Sequence, residues 1–88
     1  MVYRLRLSPS ANRTLTELPE RIAAAVAEFM TGALLENPRR VGKPLRRELA
    51  GYHGARRGVY RVVYKINDKD GVVEVVRLDY RGHVYNRR

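Results

Sequence analysis

The chain of 88 residues contains no cysteine, so no disulfide braces it and a Cys-ligated zinc site is excluded. Stability must come from packing alone. The histidines number two, His53 and His83, too few for a metal centre of their own. There is no HExxH pattern, no Gly-rich loop with nucleotide-binding spacing, no repeat and no low-complexity tract. The acids are few and scattered, with none paired in the manner of a general acid–base dyad. No apolar run approaches the ~18–20 residues of a membrane span, and the opening Met-Val-Tyr-Arg-Leu-Arg-Leu is too charged for a signal sequence. The expectation is one cytoplasmic domain over 1–88, with no cofactor, no metal and no membrane partner.

What the sequence has is positive charge, unevenly placed. Lys and Arg number 18 against 9 Asp and Glu, a net +9. Up to residue 38, Arg4, Arg6, Arg13 and Arg21 are cancelled by Glu17, Glu20, Glu28 and Glu36, so the later half carries the whole excess. Between 39 and 61 the basic residues face a single acid, Glu48. A solvated, solubilising surface normally intersperses both signs; a field this lopsided recruits polyanions and speeds their encounter. Arginine far outnumbers lysine, which favours planar, bidentate phosphate contacts.

The hydrophobic pattern predicts an α+β fold. Val2 to Leu7 alternates with period two, a strand. Ser8-Pro9 reads as a cap and first helical residue, and Ala11, Leu15 and Leu18 share one helical face. Pro19 opens a second helix, in which Ile22, Val26, Phe29, Met30, Ala33 and Leu34 recur at helical spacing as far as about Leu35. Asn37-Pro38 ends it. Residues 38–51 read as a basic connector in which Pro38, Gly42 and Pro44 block regular structure, pinned by Leu45 and Leu49. Three strands follow: a short one over 52–57, broken at Gly54; a strong one over 59–66; and, after the turn Asn67–Gly71, one over 72–78 that is apolar enough to be covered on both faces. A last segment, His83–Tyr85, extends the sheet. The predicted order is β-α-α-β-β-β, a helical hairpin on one face of a mostly antiparallel sheet.

Period two also places the candidate site. Tyr60, Val62, Tyr64 and Ile66 meet the helices, so Arg61 and Lys65 project from the opposite, helix-free face. Arg57, just before the turn at Gly58, is expected to return to that face, where Arg56, Arg57, Arg61 and Arg81 would make a phosphate floor. The reaction such a floor supports is cleavage of RNA by its own 2′-hydroxyl, which needs a base, positive charge on the phosphorane and an acid for the leaving oxygen. Arginine stays protonated and supplies charge. Lys43, among Arg39, Arg40, Arg46 and Arg47, is the leading base, because crowded like charge disfavours an ammonium; His53 competes with it. Tyr85 is the acid candidate, or stacks on a base, and His83 would share its face. Asp79 is placed to orient an arginine. The reading requires that Arg57, Arg61 and Arg81 gather in one concave, helix-free pocket.

Three stretches carry a resemblance: Lys43-Pro44-Leu45-Arg46 with Leu49 and Gly51; Ala55-Arg56-Arg57-Gly58-Val59-Tyr60-Arg61-Val62-Val63-Tyr64; and Asp79-Tyr80-Arg81-Gly82-His83-Val84-Tyr85. In order and spacing the chain resembles the RelE/ParE superfamily of bacterial toxins, and its RelE branch in particular. That resemblance implies a type II toxin neutralised by a RelB-like antitoxin, acting on ribosome-bound mRNA as a nuclease, with DNA reached only indirectly through the antitoxin complex. It also implies phosphate contact by Arg61, a role for Arg81 in the C-terminal motif, and Tyr85 as the C-terminal aromatic; Arg46, Arg47, Arg56, Arg57 and Lys65 are expected to bind RNA beside them. The chain departs from the family pattern at His53 and Ala55, where lysines are usual, and at Tyr80, where many relatives have histidine. Two other classes compete: a ParE-type poison of DNA gyrase, and a nucleic-acid-binding module without catalysis.

Overall fold

The computed structural model describes residues 2–81. The first strand, β1 (Arg4–Leu7), leads into helix α1 (Pro9–Glu17), where the Ser8 side chain accepts a hydrogen bond from the Ala11 N–H at 3.0 Å and Pro9 occupies the first turn. Such a cap contributes about 1 kcal/mol. The Ser8 hydroxyl also donates to the Val76 carbonyl, so the same residue ties the helix start to the sheet. Pro19 separates α1 from α2 (Glu20–Thr31).

The second helix stops sooner than its apolar spacing predicts. It closes at Gly32, and a one-turn helix α3 (Ala33–Glu36) follows, which buries Leu34 and Leu35 and leaves Ala33 exposed. The connector is more regular than expected, with a further turn α4 (Pro38–Val41), a two-residue strand β2 (Lys43–Pro44) and a 3₁₀ turn over Arg47–Leu49. Strand β3 (His53–Arg57) runs unbroken through Gly54, because Leu45 packs into the space a side chain there would fill. Strands β4 (Tyr60–Asn67) and β5 (Val72–Tyr80) complete the sheet; the expected segment His83–Tyr85 lies outside the described residues.

The five strands are ordered β1-β5-β4-β3-β2, with β1 parallel to β5 and the other pairs antiparallel. The helices cover one face. Val62, Tyr64, Val73, Val75 and Leu78 meet Ala11, Leu18, Val26, Phe29, Met30 and Leu34 in a single core. No helix among the described residues is long and apolar enough to cross a membrane.

Two backbone features aim the strands. Gly58 sits at φ +58 in the two-residue turn that pairs Arg57 with Tyr60, a conformation glycine adopts without steric cost. The β4–β5 ladder contains a bulge: Tyr64 pairs with Val75 but Val63 pairs with Arg77, leaving Val76 as the extra residue. Strict alternation from Val73 and Val75 would turn Arg77 and Asp79 into the core. The bulge reverses the phase, so Leu78 points inward and Arg77 and Asp79 point out.

Candidate active site

Pairing across the sheet sets Arg56, Arg61 and Asp79 in one row on the face away from the core. Here the guanidinium of Arg61 donates to Asp79 Oδ2 from Nε at 3.3 Å and from Nη2 at 3.0 Å. Arg77 donates to the same carboxylate, from Nε to Oδ1 at 3.0 Å and from Nη2 to Oδ2 at 3.2 Å. Asp79 therefore holds two arginines, Arg77 in a fork across both oxygens and Arg61 through Oδ2 alone. Burial pushes its carboxyl up, but the hydrogen bonds from Arg77 and Arg61, and their charge, outweigh that and leave it below the usual carboxylate range. It stays ionised at neutral pH, which makes it a poor proton acceptor and a good clamp.

The direction of that shift carries a pH prediction. A depressed folded-state value means the unfolded chain takes up the proton first as pH falls. The contribution of this cluster to stability is then complete above the unfolded carboxyl value, about pH 4, and is lost as pH drops through the lower folded value. Replacing Asp79 with asparagine should remove that part of the acid dependence, seen as a smaller drop in Tm between pH 5 and the acid limit. The effect is modest, since half-exposed ion pairs are screened.

Beside this row lies a cavity of about 540 Å³, lined by Thr14, Glu17 and Leu18 of the first helix region, Arg56, Gly58 and Val59 at the β3–β4 turn, Tyr60, Arg61, Leu78, Asp79, Tyr80 and Arg81. Arg81 is held there by its backbone N–H, which donates to the Val59 carbonyl at 2.8 Å. Two arginines paired across a tight turn and a third twenty residues further along thus line one concavity.

The convergence differs from expectation in two respects. Arg57 does not return to the Arg61 side: a two-residue turn pairs it with Tyr60, so it shares the Tyr60 face and lies over the Phe29 ring with its Cζ 4.6 Å from the centroid. Of the four arginines expected together, Arg56, Arg61 and Arg81 line the pocket and Arg57 does not. Nor is the pocket helix-free, because α1 supplies one wall.

The remaining sequence candidates are dispersed. His53 pairs with Tyr64 and stacks on it, ring centroids 5.7 Å apart, on the helix-covered face. Burial and then the charge of Arg39 hold its pKa below the ordinary imidazole value, and Nδ1 is buried without a partner among the described residues. It does not join the arginine group. Lys43 is exposed on β2 opposite Gly54, on the Arg61 face but outside the cavity. Arg46 and Arg47 lie exposed in the connector, outside the cavity as well. Lys65 shares the Arg61 face, yet four residues of strand, roughly 13 Å, separate the two, and Lys65 borders a different depression with Arg6 and Glu74. Its ammonium lies 5.8 Å from the centre of the Tyr52 ring. Between Arg61 and Lys65, Val63 is fully buried, so this face is not one continuous basic floor. Arg39 is bound to Asp68 at 2.6 Å, beside the Tyr3 hydroxyl. Tyr85 and His83 lie outside the described residues. Among the described residues, no three His, Cys, Asp or Glu side chains group as metal ligands.

Sequence reasoning missed Thr14, Glu17 and Arg77. Arg77 follows from the bulge, which period two cannot anticipate. Thr14 and Glu17 follow from the end of α1 reaching the rim of the sheet, although their i,i+3 spacing already set them on one helix face.

A helical layer on a five-stranded sheet, with an arginine cavity at its rim, defines the class. The family model described as the ParE toxin of type II toxin–antitoxin systems, parDE, matches residues 5–85, and the chain belongs to that family. Within it the likeness is to the RelE branch. Toxin RelG of Mycobacterium tuberculosis is 52% identical over 87 residues, covering 99% of this chain and 100% of the relative. Toxin RelE of the same organism is 51% identical over 83 residues, covering 94% and 86%. Among solved structures, the toxin–antitoxin complex RelBE2 of M. tuberculosis matches with TM-score 0.89 and 52% identity over 92% of this chain and 100% of that one. The intact E. coli RelBE complex matches in fold, with TM-score 0.74 at 22% identity, over 89% of this chain and 95% of that one.

Proposed function

We propose that this toxin is a ribosome-dependent mRNA endoribonuclease, cutting the message in the A site, and that a RelB-like antitoxin neutralises it. One observation carries the reading: Arg56, Arg61 and Arg81 line a single cavity, with Arg61 already oriented by Asp79. Relatives named RelG and RelE, about half identical over nearly the whole chain, support it.

In the proposed reaction the 2′-hydroxyl attacks the adjacent phosphorus and loses its proton to a base. The bond from phosphorus to the 5′-oxygen then breaks, leaving a cyclic 2′,3′-phosphate and a 5′-hydroxyl. The phosphorane gains negative charge on its non-bridging oxygens, where guanidiniums fixed in advance act without reorganising. Arg61 is the principal contact, with Arg56 and Arg81 closing on the same group. Lys43 is the base this reading keeps, since it shares the Arg61 face; His53, turned to the helices, is not. Tyr85 is the acid by resemblance alone. Ribosomal substrate places the protein in the cytoplasm.

The antitoxin is proposed to bring an acidic segment that folds on the basic surface and quenches it. Any contact with operator DNA then runs through the antitoxin. The competing reading is a ParE-type gyrase poison, a branch whose name the family model carries. Adding the purified protein to a translation mixture and mapping message ends separates the two. Discrete, ribosome-dependent cuts within A-site codons are expected. Intact message with gyrase trapped on cleaved DNA would replace this reading with the ParE one, and intact message with neither would leave a binding module.

A further inference from the structure

The cavity has two chemically different walls. The sheet side carries Arg56, Arg61 and Arg81 with Asp79 paired to Arg61, a net positive wall, while the α1 side presents Thr14 and Glu17 and no cation. Tyr60, Tyr80 and Val59 line the same cavity. At about 540 Å³ the space is far larger than a phosphate group and falls in the range of small-molecule pockets.

Glu17 stands out on two physical counts. It is exposed at the last turn of α1, a helix whose final turn holds no basic residue, so its charge opposes the macrodipole there. It also adds a second carboxylate to the cavity: Asp79 is paired with Arg61 and Arg77, whereas among the described residues none of the ion pairs within 4 Å involves Glu17. Solvent satisfies this exposed carboxylate in the free protein, and it stands as an acceptor on the cavity wall for whatever ligand enters.

We propose that Glu17, with Thr14 beside it, reads the base of the nucleotide whose phosphate the arginines hold, selecting bases that carry an exocyclic amine and rejecting uracil. The inference rests on the cavity being an RNA site, as proposed above. The chemistry is that of a pure acceptor: an ionised carboxylate accepts from the amino groups of cytosine, adenine and guanine, and in guanine from the adjacent ring N–H as well. Uracil offers one N–H between two carbonyl oxygens, which a carboxylate repels. Bases splayed from single-stranded RNA are read on these same edges, while tyrosine rings provide a stacking surface.

The test is titration of the purified full chain with CMP, AMP, GMP and UMP, followed by chemical-shift changes. The wild type should bind the amino-bearing nucleotides about tenfold more tightly than UMP. Glu17→Gln should collapse that ratio to about twofold or less, because a carboxamide donates as well as accepts. Arg61→Ala should weaken all of them alike and leave the ratio standing. The ratio is diagnostic where absolute affinity is not, since removing the Glu17 charge favours every phosphate. UMP binding the wild type as tightly as the others, or a ratio that survives Glu17→Gln, overturns the proposal. Failure of the nuclease reading shows itself separately, as uncut message in the translation mixture with the nucleotide ratio intact.

Discussion

Replacing Arg61 with alanine is expected to lower message cleavage by about 100- to 1,000-fold, the usual loss when one preorganised donor to a developing oxyanion is removed. The fold should survive. Arg61 lies on the face away from the core, its side chain 32% exposed, and its pair with Asp79 is open to solvent on both sides. Such pairs contribute little to stability, so thermal unfolding should shift by no more than a few degrees. Loss of one phosphate contact should also reduce the salt dependence of RNA or ribosome binding by about one unit of slope. Arg57→Ala provides the contrast. That side chain packs on Phe29 on the other face, so its loss should affect stability by about 0.5–1 kcal/mol and leave the cleavage rate nearly alone. Equal toxicity of wild type and Arg61→Ala would remove Arg61 from the reaction.

Gly42→Ala is the substitution expected to damage the fold most for the smallest change. A Cβ at this position would stand 2.9 Å from the Gly54 carbonyl oxygen and 3.1 Å from Tyr64 Cζ, and closer still to the Tyr64 hydroxyl. None of these can give way cheaply. The Gly54 oxygen is backbone within β3, and Tyr64 is fully buried, stacked by His53, with its hydroxyl donating to the Pro38 carbonyl. Burial raises the pKa of that hydroxyl to about 12, so it remains a neutral donor throughout the physiological range. Overpacking of this kind costs about 1–3 kcal/mol. For a domain of this size each kcal/mol lowers Tm by about 4–8 °C, which calorimetry resolves easily. Because β2 carries Lys43 onto the Arg61 face, cleavage should fall as well if Lys43 is the base. An unchanged Tm would show that β2 does not approach Tyr64 this closely.

Much of this architecture was legible in the chain because strong local signals agreed with the final packing. The Ser8-Pro9 start, the apolar stripe through Phe29 and Met30 and the turn at Asn67–Gly71 are local chemistry, and the structure repeats them. Period two through Tyr60–Ile66 was enough to separate the core side chains from Arg61 and Lys65. What was not legible depends on how strands meet. The face of Arg57 is decided by the length of the turn at Gly58: with two residues in the loop, Arg57 must share the side of Tyr60. The outward aim of Arg77 and Asp79 depends on the bulge at Val76, an irregularity of pairing that an apolar run conceals. In sequence His53 reads as a free base because nothing local specifies its partner strand; opposite Tyr64 it belongs to the core side. The parallel placement of β1 against β5 ties the start of α1 to β5, where Ser8 bonds Val75 and Val76, and the far end of α1 reaches the rim where Glu17 lines the cavity.

The central claim is that Arg56, Arg61 and Arg81 close on one phosphate. It is tested most directly by adding a short RNA with 2′-O-methyl groups, which cannot be cut, and following the arginine side-chain Nε–H resonances. The signals of Arg56, Arg61 and Arg81 should shift together along one titration curve, while those of Arg39 and Arg57 stay in place. Shifts concentrated at Arg57, or three curves with unrelated midpoints, would contradict it.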